Sequence, residues 1–371
     1  LIPIYGITFL DILGFTILIP LLPFVSRRFG APDAVAGALI ATTAVCATLS
    51  SPVWGSLSDR FGRKRVLLGS QLFSLAGYLL LAFAGDVPWL FLSRAIEGFG
   101  GGNLGVASSY ISDVTTEQSR PRALAYGTAA FGAGFIAGPI LSGALAHFGF
   151  TVPFVCAAAL QAVNFVVTST FLPESRQKRR AAFSWSELSA ALARPGIAAI
   201  LGQRLLYIFA FTYFFTTFSI FLSDVLHAGP AASSALLGVA GAVGAATQIF
   251  AVGPLIDRFG LRTASLAALA SGILAYALLG FVETLALFVV AIVFWSFSGS
   301  VLRPAIDARI VRLAPEDERG TLLGLGDSLD NFALMFAPVI GAAIIGAAPR
   351  LVGILPALSL AFAFVLTLRE P

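Results

Sequence analysis

The chain has 371 residues, 58% hydrophobic and 11% charged, with a net charge of +4 and a mean hydropathy of +0.91. A water-soluble globule uses roughly 45–50% apolar and about 25% charged residues, so this composition excludes one. A transmembrane β-barrel would show alternating segments of about ten residues, and none is visible.

The apolar runs are about 20 residues or longer, enough to cross a hydrocarbon core of about 30 Å as helices. Their many glycines and prolines suit membrane helices better than soluble ones. Twelve spans are predicted, at 2–25, 34–57, 65–85, 88–112, 121–146, 150–172, 197–224, 231–254, 263–282, 284–311, 320–346 and 350–368. The chain opens on Leu1 rather than Met, so its start is expected upstream. No cleavable signal is visible, and the first span would serve as its own membrane signal.

The first span carries Asp11 near mid-membrane, where an ionisable group costs about 2.5–3.5 kcal/mol. Asp11 is expected to face a polar cavity or a partner, or to carry a proton; a static ion pair is the alternative. Phe15 follows one helical turn later, and Pro20 and Pro23 are expected to bend or end the helix.

Between spans two and three lies Gly55-Ser56-Leu57-Ser58-Asp59-Arg60-Phe61-Gly62-Arg63-Lys64-Arg65, the most charged short stretch of the chain. Gly55 is expected to let helices approach closely and Gly62 to permit the reversal, with the cations beside an anionic membrane face. The stretch recurs 198 residues later, with Asp257, Arg258, Phe259 and Gly260 at matching places. The chain therefore reads as a duplication. The expected fold is all-α and polytopic, twelve transmembrane helices in two pseudo-symmetric six-helix bundles, residues 1–172 and 196–371. Residues 173–195 form the cytoplasmic linker, where Trp185, Leu188 and Leu192 suggest a short surface helix.

Span four holds Arg94 and Glu97, three apart on one face, where they can pair. Gly98, Gly100, Gly101 and Gly102 leave a flat surface for helix contact, and Asn103 follows. Asp113 closes this span, and Arg120 and Arg122 lie in the next loop as partners for the acids of the charged stretch. In span five, Gly134, Gly138, Pro139 and Gly143 form a small-residue packing surface.

Span seven opens with Arg204, whose face Tyr207 and Phe211 share; such a stripe is either core or ligand surface. Span ten holds Trp295, Arg303 and Asp307. Asp327 and Asp330 in span eleven are three apart, with Asn331 adjacent, so one is protonated or both face a cation.

Seventeen of the 23 Lys and Arg fall on one set of loops, three on the other and three within spans. This asymmetry predicts both termini on the cytoplasmic side. The basic balance thus reports lipid-facing loops and no nucleic-acid partner. Cys46 and Cys156 sit in apolar spans as small hydrophobes, and His147 and His227 give no metal site. The only lysines, Lys64 and Lys178, lie in loops, so a photoreceptor Schiff base is excluded. There is no His-Glu-x-x-His pattern and no phosphate-binding loop. Neither an enzyme nor a cofactor is expected.

Taken together, these residues resemble the major facilitator superfamily across essentially the whole chain. The charged stretch is similar to that family's loop between spans two and three, with its weaker copy between eight and nine. Residues 94–100 resemble its fourth-span motif, 134–143 its fifth-span antiporter motif, and Leu13-Gly14 with Pro20-Leu21-Leu22-Pro23 its first-span drug–proton antiporter motif. The first half looks most like tetracycline efflux pumps. Departures stand out: Ser142 stands where the antiporter motif usually has Gly, and those pumps carry an acid where Gly77 precedes Tyr78 and a ninth-span acid absent here. The missing acids weigh against a metal–tetracycline substrate.

The resemblance implies alternating access by two rocking halves in the inner membrane. Gly55, Asp59, Arg60, Gly62 and Arg63, with Asp113 and Arg122, would latch the cytoplasmic side, and Asp257 and Arg258 would do so more weakly. Asp11, Arg94, Glu97, Asp327 and Asp330 would couple to protons. Phe15, Asn103, Arg204, Tyr207, Phe211, Trp295, Arg303 and Asn331 are the candidate substrate contacts, and Gly134, Gly138, Pro139 and Gly143 the hinge. The activity implied is proton-coupled efflux of a hydrophobic or cationic small molecule by a lipid-embedded monomer. Uptake of a small solute, or lipid transport, is the alternative.

Overall fold

The computed structural model describes residues 1–116, 118–149, 151–175, 196–314 and 319–369, with backbone alone at 120–122, 125, 319–321 and 324. The linker helix expected around Trp185 lies outside the described residues. Helices are α1 Ile2–Leu18, α2 Leu22–Arg28, α3 Asp33–Phe61, α4 Arg63–Ala82, α5 Val87–Gly101, α6 Leu104–Asp113, α7 Arg120–Ala146 and α8 Thr151–Phe171. There follow α9 Ile197–Val225, α10 Pro230–Phe250, α11 Val252–Leu279, α12 Leu285–Leu313, α13 Arg319–Ala347 and α14 Ile354–Leu368.

Among the described residues, 11 helices are long and apolar enough to span a membrane. The fourth predicted span falls short only because it is broken into α5 and α6. The break has a packing cause. A Cβ on Gly102 would strike the Ser50 hydroxyl and come 2.7 Å from the Ala47 carbonyl, so this backbone is pressed onto α3. The first span does not end at Pro20 and Pro23: a 3-10 turn at Ile19–Leu21 carries α1 into α2.

The chain divides into two units, Leu1–Ala181 with Gly229–Gly238, and Ala182–Ala228 with Val239–Pro371. In the first, α4 packs on α5 and α8, and α1 on α7 and α8. In the second, α11 packs on α12 and α14, and α9 on α13 and α14. The same four pairings recur: third span on fourth and sixth, first on fifth and sixth.

The duplication reaches single side chains. Asp86 caps α5 by accepting from the Trp89 amide (3.2 Å), and Thr284, its counterpart, caps α12 at the Leu287 amide (3.3 Å). Gly62 and Gly260 both take positive φ, +102° and +80°, a conformation that favours glycine. Tyr78 and Tyr276, both buried, are counterparts, as are Glu97 and Trp295.

Glycines set the helix spacing in the first unit. A Cβ on Gly98 would strike the Thr43 carbonyl of α3, and one on Gly100 would lie 2.6 Å from the Ser70 carbonyl of α4. On α7, Gly134 faces the Phe9 carbonyl at 2.7 Å, Gly138 faces the Thr16 side chain, and Gly143 faces Ser234 at 2.8 Å. The small-residue surface of span five is thus a contact surface. Gly55 is different. A Cβ there would meet nothing within 4 Å, so the close approach expected of it is not found.

Candidate functional site

Three polar clusters interrupt the apolar interior. In the first unit, Asp11 of α1 is half-buried and held by carboxamides from two other helices. Gln161 Nε2 and Asn164 Nδ2 of α8 each donate to Asp11 Oδ1 at 3.0 Å. Asn103 Nδ2, at the break between α5 and α6, reaches Asp11 Oδ2 at 3.4 Å and Ser70 Oγ at 2.7 Å. No arginine or lysine pairs with Asp11 among the described residues. Gln161, Asn164 and Thr168 lie three and four apart, so they form one polar face on an apolar helix. Sequence reading missed Gln161 and Asn164; this periodicity is the signal that would have marked them as a polar face, though not as partners of Asp11.

Beside this cage, Arg94 Nη1 lies 3.5 Å from Glu97 Oε2, as their spacing predicts. Both are buried, and the Arg94 guanidinium stands over the Tyr78 ring, 5.9 Å from its centroid. Arg94 Nη2 has no hydrogen-bond partner among the described residues.

The charged stretch closes on itself. Arg63, 2% exposed, donates from Nε to Asp113 Oδ2 (3.0 Å) and pairs through Nη1 with Asp59 Oδ1 (2.6 Å) and the Ser58 hydroxyl. Ser175 Oγ adds a bond to Asp113 Oδ2 (3.3 Å). Asp113 therefore partners an arginine of the stretch, while the Arg122 side chain lies outside the described residues. Sequence reading missed Glu174. Its carboxylate accepts from the Lys64 amide (3.0 Å) at the start of α4, where the helix dipole favours an anion. A Cβ on Gly62 would lie 2.6 Å from that carboxylate.

The second copy keeps part of this design. Lys64 Nζ donates to the Ser169 carbonyl at the end of α8 (2.7 Å), and its counterpart Arg262 donates to Leu368 at the end of α14 (2.8 Å). Arg60 and Arg258 each stack over the following Phe, 5.3 Å from its centroid. The counterpart of Arg63, however, is Leu261. With no guanidinium there, Asp257 makes no ion pair among the described residues. The echo is weaker because its central cation is missing.

In the second unit, Arg204 of α9 gathers three carboxylates. It meets Asp330 through Nε (3.0 Å) and Nη2 (2.7 Å), Asp327 through Nη2 (2.7 Å), and Asp307 through Nη1 (2.8 Å). Arg303 Nη2 lies 3.2 Å from Asp330 and 3.6 Å from Asp327. Two arginines thus face three aspartates, one acid in excess. Asp327 and Asp330 converge on cations, one of the two alternatives their spacing allowed. Asp307, four residues from Arg303, belongs to the same cluster. Arg204, Tyr207, Arg303, Asp307 and Asp330 line a small recess.

Next to it, Phe211 stacks on Trp295 (4.9 Å, 9°) and lies 6.1 Å from Tyr207. Trp295 Nε1 donates to Tyr276 (3.1 Å), and Tyr207 to the Gly299 carbonyl (3.2 Å). Tyr207 and Trp295 are buried, Phe15 and Phe211 are half-buried and Asn331 is exposed.

A duplicated six-helix membrane fold with carboxylates and arginines inside its spans is the architecture of a secondary transporter. Consistent with this, the chain matches the Major Facilitator Superfamily profile over residues 4–222 and 200–371, and it belongs to that superfamily. It is 30% identical over 365 residues to the tetracycline resistance protein, class C, of Escherichia coli, covering 94% of this chain and 90% of that protein. It is 27% identical over 349 residues to multidrug resistance protein 2 of Bacillus subtilis strain 168, covering 90% and 85%. The human organic anion transporter MFSD10 (TETRAN) shares the fold, with TM-score 0.72, 20% identity and 98% coverage of both chains. So does the nucleoside transporter NupG, with TM-score 0.78, 17% identity and 100% and 99% coverage. The chain is a multi-pass membrane transporter of the efflux type, not an enzyme.

Proposed function

We propose that the chain is a proton-coupled antiporter that exports a hydrophobic, cationic small molecule across the cytoplasmic membrane. It works as a monomer with both termini cytoplasmic, its halves 1–172 and 196–371 rocking about the linker 173–195. The observation that carries this reading is Asp11, a carboxylate inside a membrane span whose described partners are neutral amides. Such a group gains most from binding and releasing a proton, because protonation removes a charge from low dielectric. The neighbouring Arg94–Glu97 pair and the excess acid around Arg204 and Arg303 are further proton acceptors. The exposed carboxylate of Asp327 belongs to the Arg204 cluster whose recess Tyr207 lines, and an acid grouped with an aromatic ring suits a lipophilic cation.

The tetracycline and multidrug resistance relatives support export of a drug-like compound. A metal–tetracycline chelate is not the substrate proposed, since position 77 has no room for the acid those pumps carry there. Arg63, Asp59 and Asp113 form the cytoplasmic latch in this reading, and the α7 glycines the hinge.

The test is uptake of a fluorescent lipophilic cation into inverted membrane vesicles under an imposed proton gradient. Gradient-driven uptake that Asp11→Asn or Glu97→Gln abolishes, with folding intact, supports antiport. Equal uptake with and without the gradient would sink it, and opposite direction would move uptake of a small solute to the front.

A further inference from the structure

Gln161 and Asn164 reach Asp11 from one face of α8, and both place their donors on the same oxygen, Oδ1, at 3.0 Å. Oδ2 receives one longer bond, from Asn103 Nδ2 at 3.4 Å. Both α8 residues are fully buried. Asn164 Nδ2 also donates to the Ile7 carbonyl (3.3 Å), which fixes the way its amide faces. The amide oxygens, Gln161 Oε1 and Asn164 Oδ1, are buried without a hydrogen-bond partner. A buried acceptor left unmet is costly, so the bonds to the carboxylate are what hold this arrangement. The electrostatic neighbours of Asp11 are Tyr78 of α4 and Glu97 of α5, the latter paired with Arg94. The other titratable groups on helices packed against α1 are Tyr110 and Asp113 of α6, Arg120, Arg122 and Tyr126 of α7, and Cys156 of α8. None of them bonds Asp11 among the described residues.

We propose that Gln161 and Asn164 are positioning residues that set how tightly Asp11 holds its coupling proton, and that Oδ2 is the oxygen that takes it. This inference rests on the reading of Asp11 as a proton carrier. An ionised carboxylate accepts at both oxygens, whereas a protonated one must donate from the oxygen that carries the hydrogen. Oδ1 already faces two N–H groups, so the proton enters at Oδ2, and the long Asn103 bond is the one given up. Gln161 and Asn164 keep their bonds to Oδ1 in both states. Those bonds are stronger to the anion than to the neutral acid, so they favour release. Without them, a carboxylate withdrawn from water inside a span has nothing to offset that loss and holds its proton through the cycle. A paired guanidinium would do the opposite and keep the acid ionised. Neutral amides lie between these extremes: they favour the anion without adding a charge, which leaves both states within reach of a proton gradient.

Difference infrared spectroscopy of the purified full-length chain, titrated with pH, tests this through the C=O stretch of protonated carboxyl groups. The Asp11 band is the part that Asp11→Asn removes; Asp11→Glu, which moves the band without removing it, identifies it if Asp11→Asn does not fold. Gln161→Met and Asn164→Leu keep the bulk of the side chain and delete the donor. In each, the band is expected to persist to higher pH, with the proton held about tenfold more tightly. Asn103→Leu should move it less, and a larger shift there would overturn the assignment to Oδ2. Thr168→Val, one helical turn beyond Asn164, disturbs the bond from Gln71 and not Asp11, and should leave the band in place. An unmoved band in both amide variants, or an equal shift in Thr168→Val, overturns the proposal. The signal needs no transport, so the two readings fail separately. A band displaced by the amide variants without gradient-driven export refutes only antiport, and export that Asp11→Asn abolishes with an unmoved band refutes only the role of the amides.

Discussion

A Cβ built on Gly77 would lie 2.6 Å from the Cβ of Glu97 and 2.8 Å from its amide nitrogen. At this point α4 runs against α5 with no space for a side chain. Gly77→Asp, which would restore the acid found in the pumps this chain resembles, is therefore expected to push the two helices apart. The cost of such overpacking is about 1–3 kcal/mol, and it falls beside the Arg94–Glu97 pair. A lowered unfolding midpoint and lost export are the expected outcome. Wild-type stability in Gly77→Asp would show that the helix pair yields without penalty.

Arg63 and Arg258 sit in the two copies of the charged stretch and are expected to respond very differently. Arg63→Ala leaves the buried Asp113 carboxylate without its guanidinium, and breaking a buried pair from one side costs about 3–5 kcal/mol. Arg258→Ala removes a cation stacked on Phe259 at the surface, where changes stay within about 0.5 kcal/mol. Denaturation of both variants checks the contrast. Similar losses would mean that the two copies carry equal weight.

Much of this was legible from the residues themselves. Span positions follow from hydropathy, and the duplication follows from the repeated loop, because two copies of a charged stretch stand out in a chain so apolar. The Arg94–Glu97 pair and the shared face of Asp327 and Asp330 follow from helical spacing. The partners joined across the chain were not legible. Glu174 reaches the start of α4 from 110 residues away, and Gln161 and Asn164 find Asp11 across 150 and 153. Uncharged amides leave no mark on a charge count. The break at Gly102 depends on the Ser50 and Ala47 atoms it meets, which no local pattern encodes.

The three aspartates around Arg204 differ in burial and so in expected effect. Asp327 is 67% exposed and bonds Arg204 through one oxygen, whereas Asp330, 16% exposed, engages it with both. Asp327→Asn is expected to cost about 0–1 kcal/mol, in the range of exposed pairs. Asp330→Asn should cost several times more, since bidentate geometry is lost where solvent compensates least. Export of a lipophilic cation should reverse that order of tolerance if Asp327 meets the substrate: near-normal stability with weakened apparent affinity. Equal stability loss in both variants would mean that Arg204 shares its bonds evenly.

The duplicated packing of the third and fourth spans offers a sharper test. In the first unit Gly100 faces Ser74; in the second, at the matching places, Ser298 faces Gly272. The small residue has changed sides. A Cβ on Gly272 would lie 2.6 Å from Ser298 Oγ and 2.5 Å from the Leu360 methyl. Both obstacles are side-chain atoms, so Gly272→Ser is expected to destabilise and Ser298→Gly to restore most of the loss. A Cβ on Gly100 would lie 2.6 Å from the Ser70 carbonyl and 2.7 Å from the Ser74 amide as well as near the Ser74 hydroxyl. Backbone atoms cannot be removed by substitution, so Ser74→Gly should leave Gly100→Ser largely unrescued. A double-mutant cycle on each pair measures the coupling directly, and contacting residues give about 0.5–3 kcal/mol in such cycles. Strong rescue in the second unit with little in the first is the expected result. Equal rescue in both would mean that the first-unit helices relax around the added side chain, and that the glycines of α5 set the helix spacing less firmly than their contacts imply.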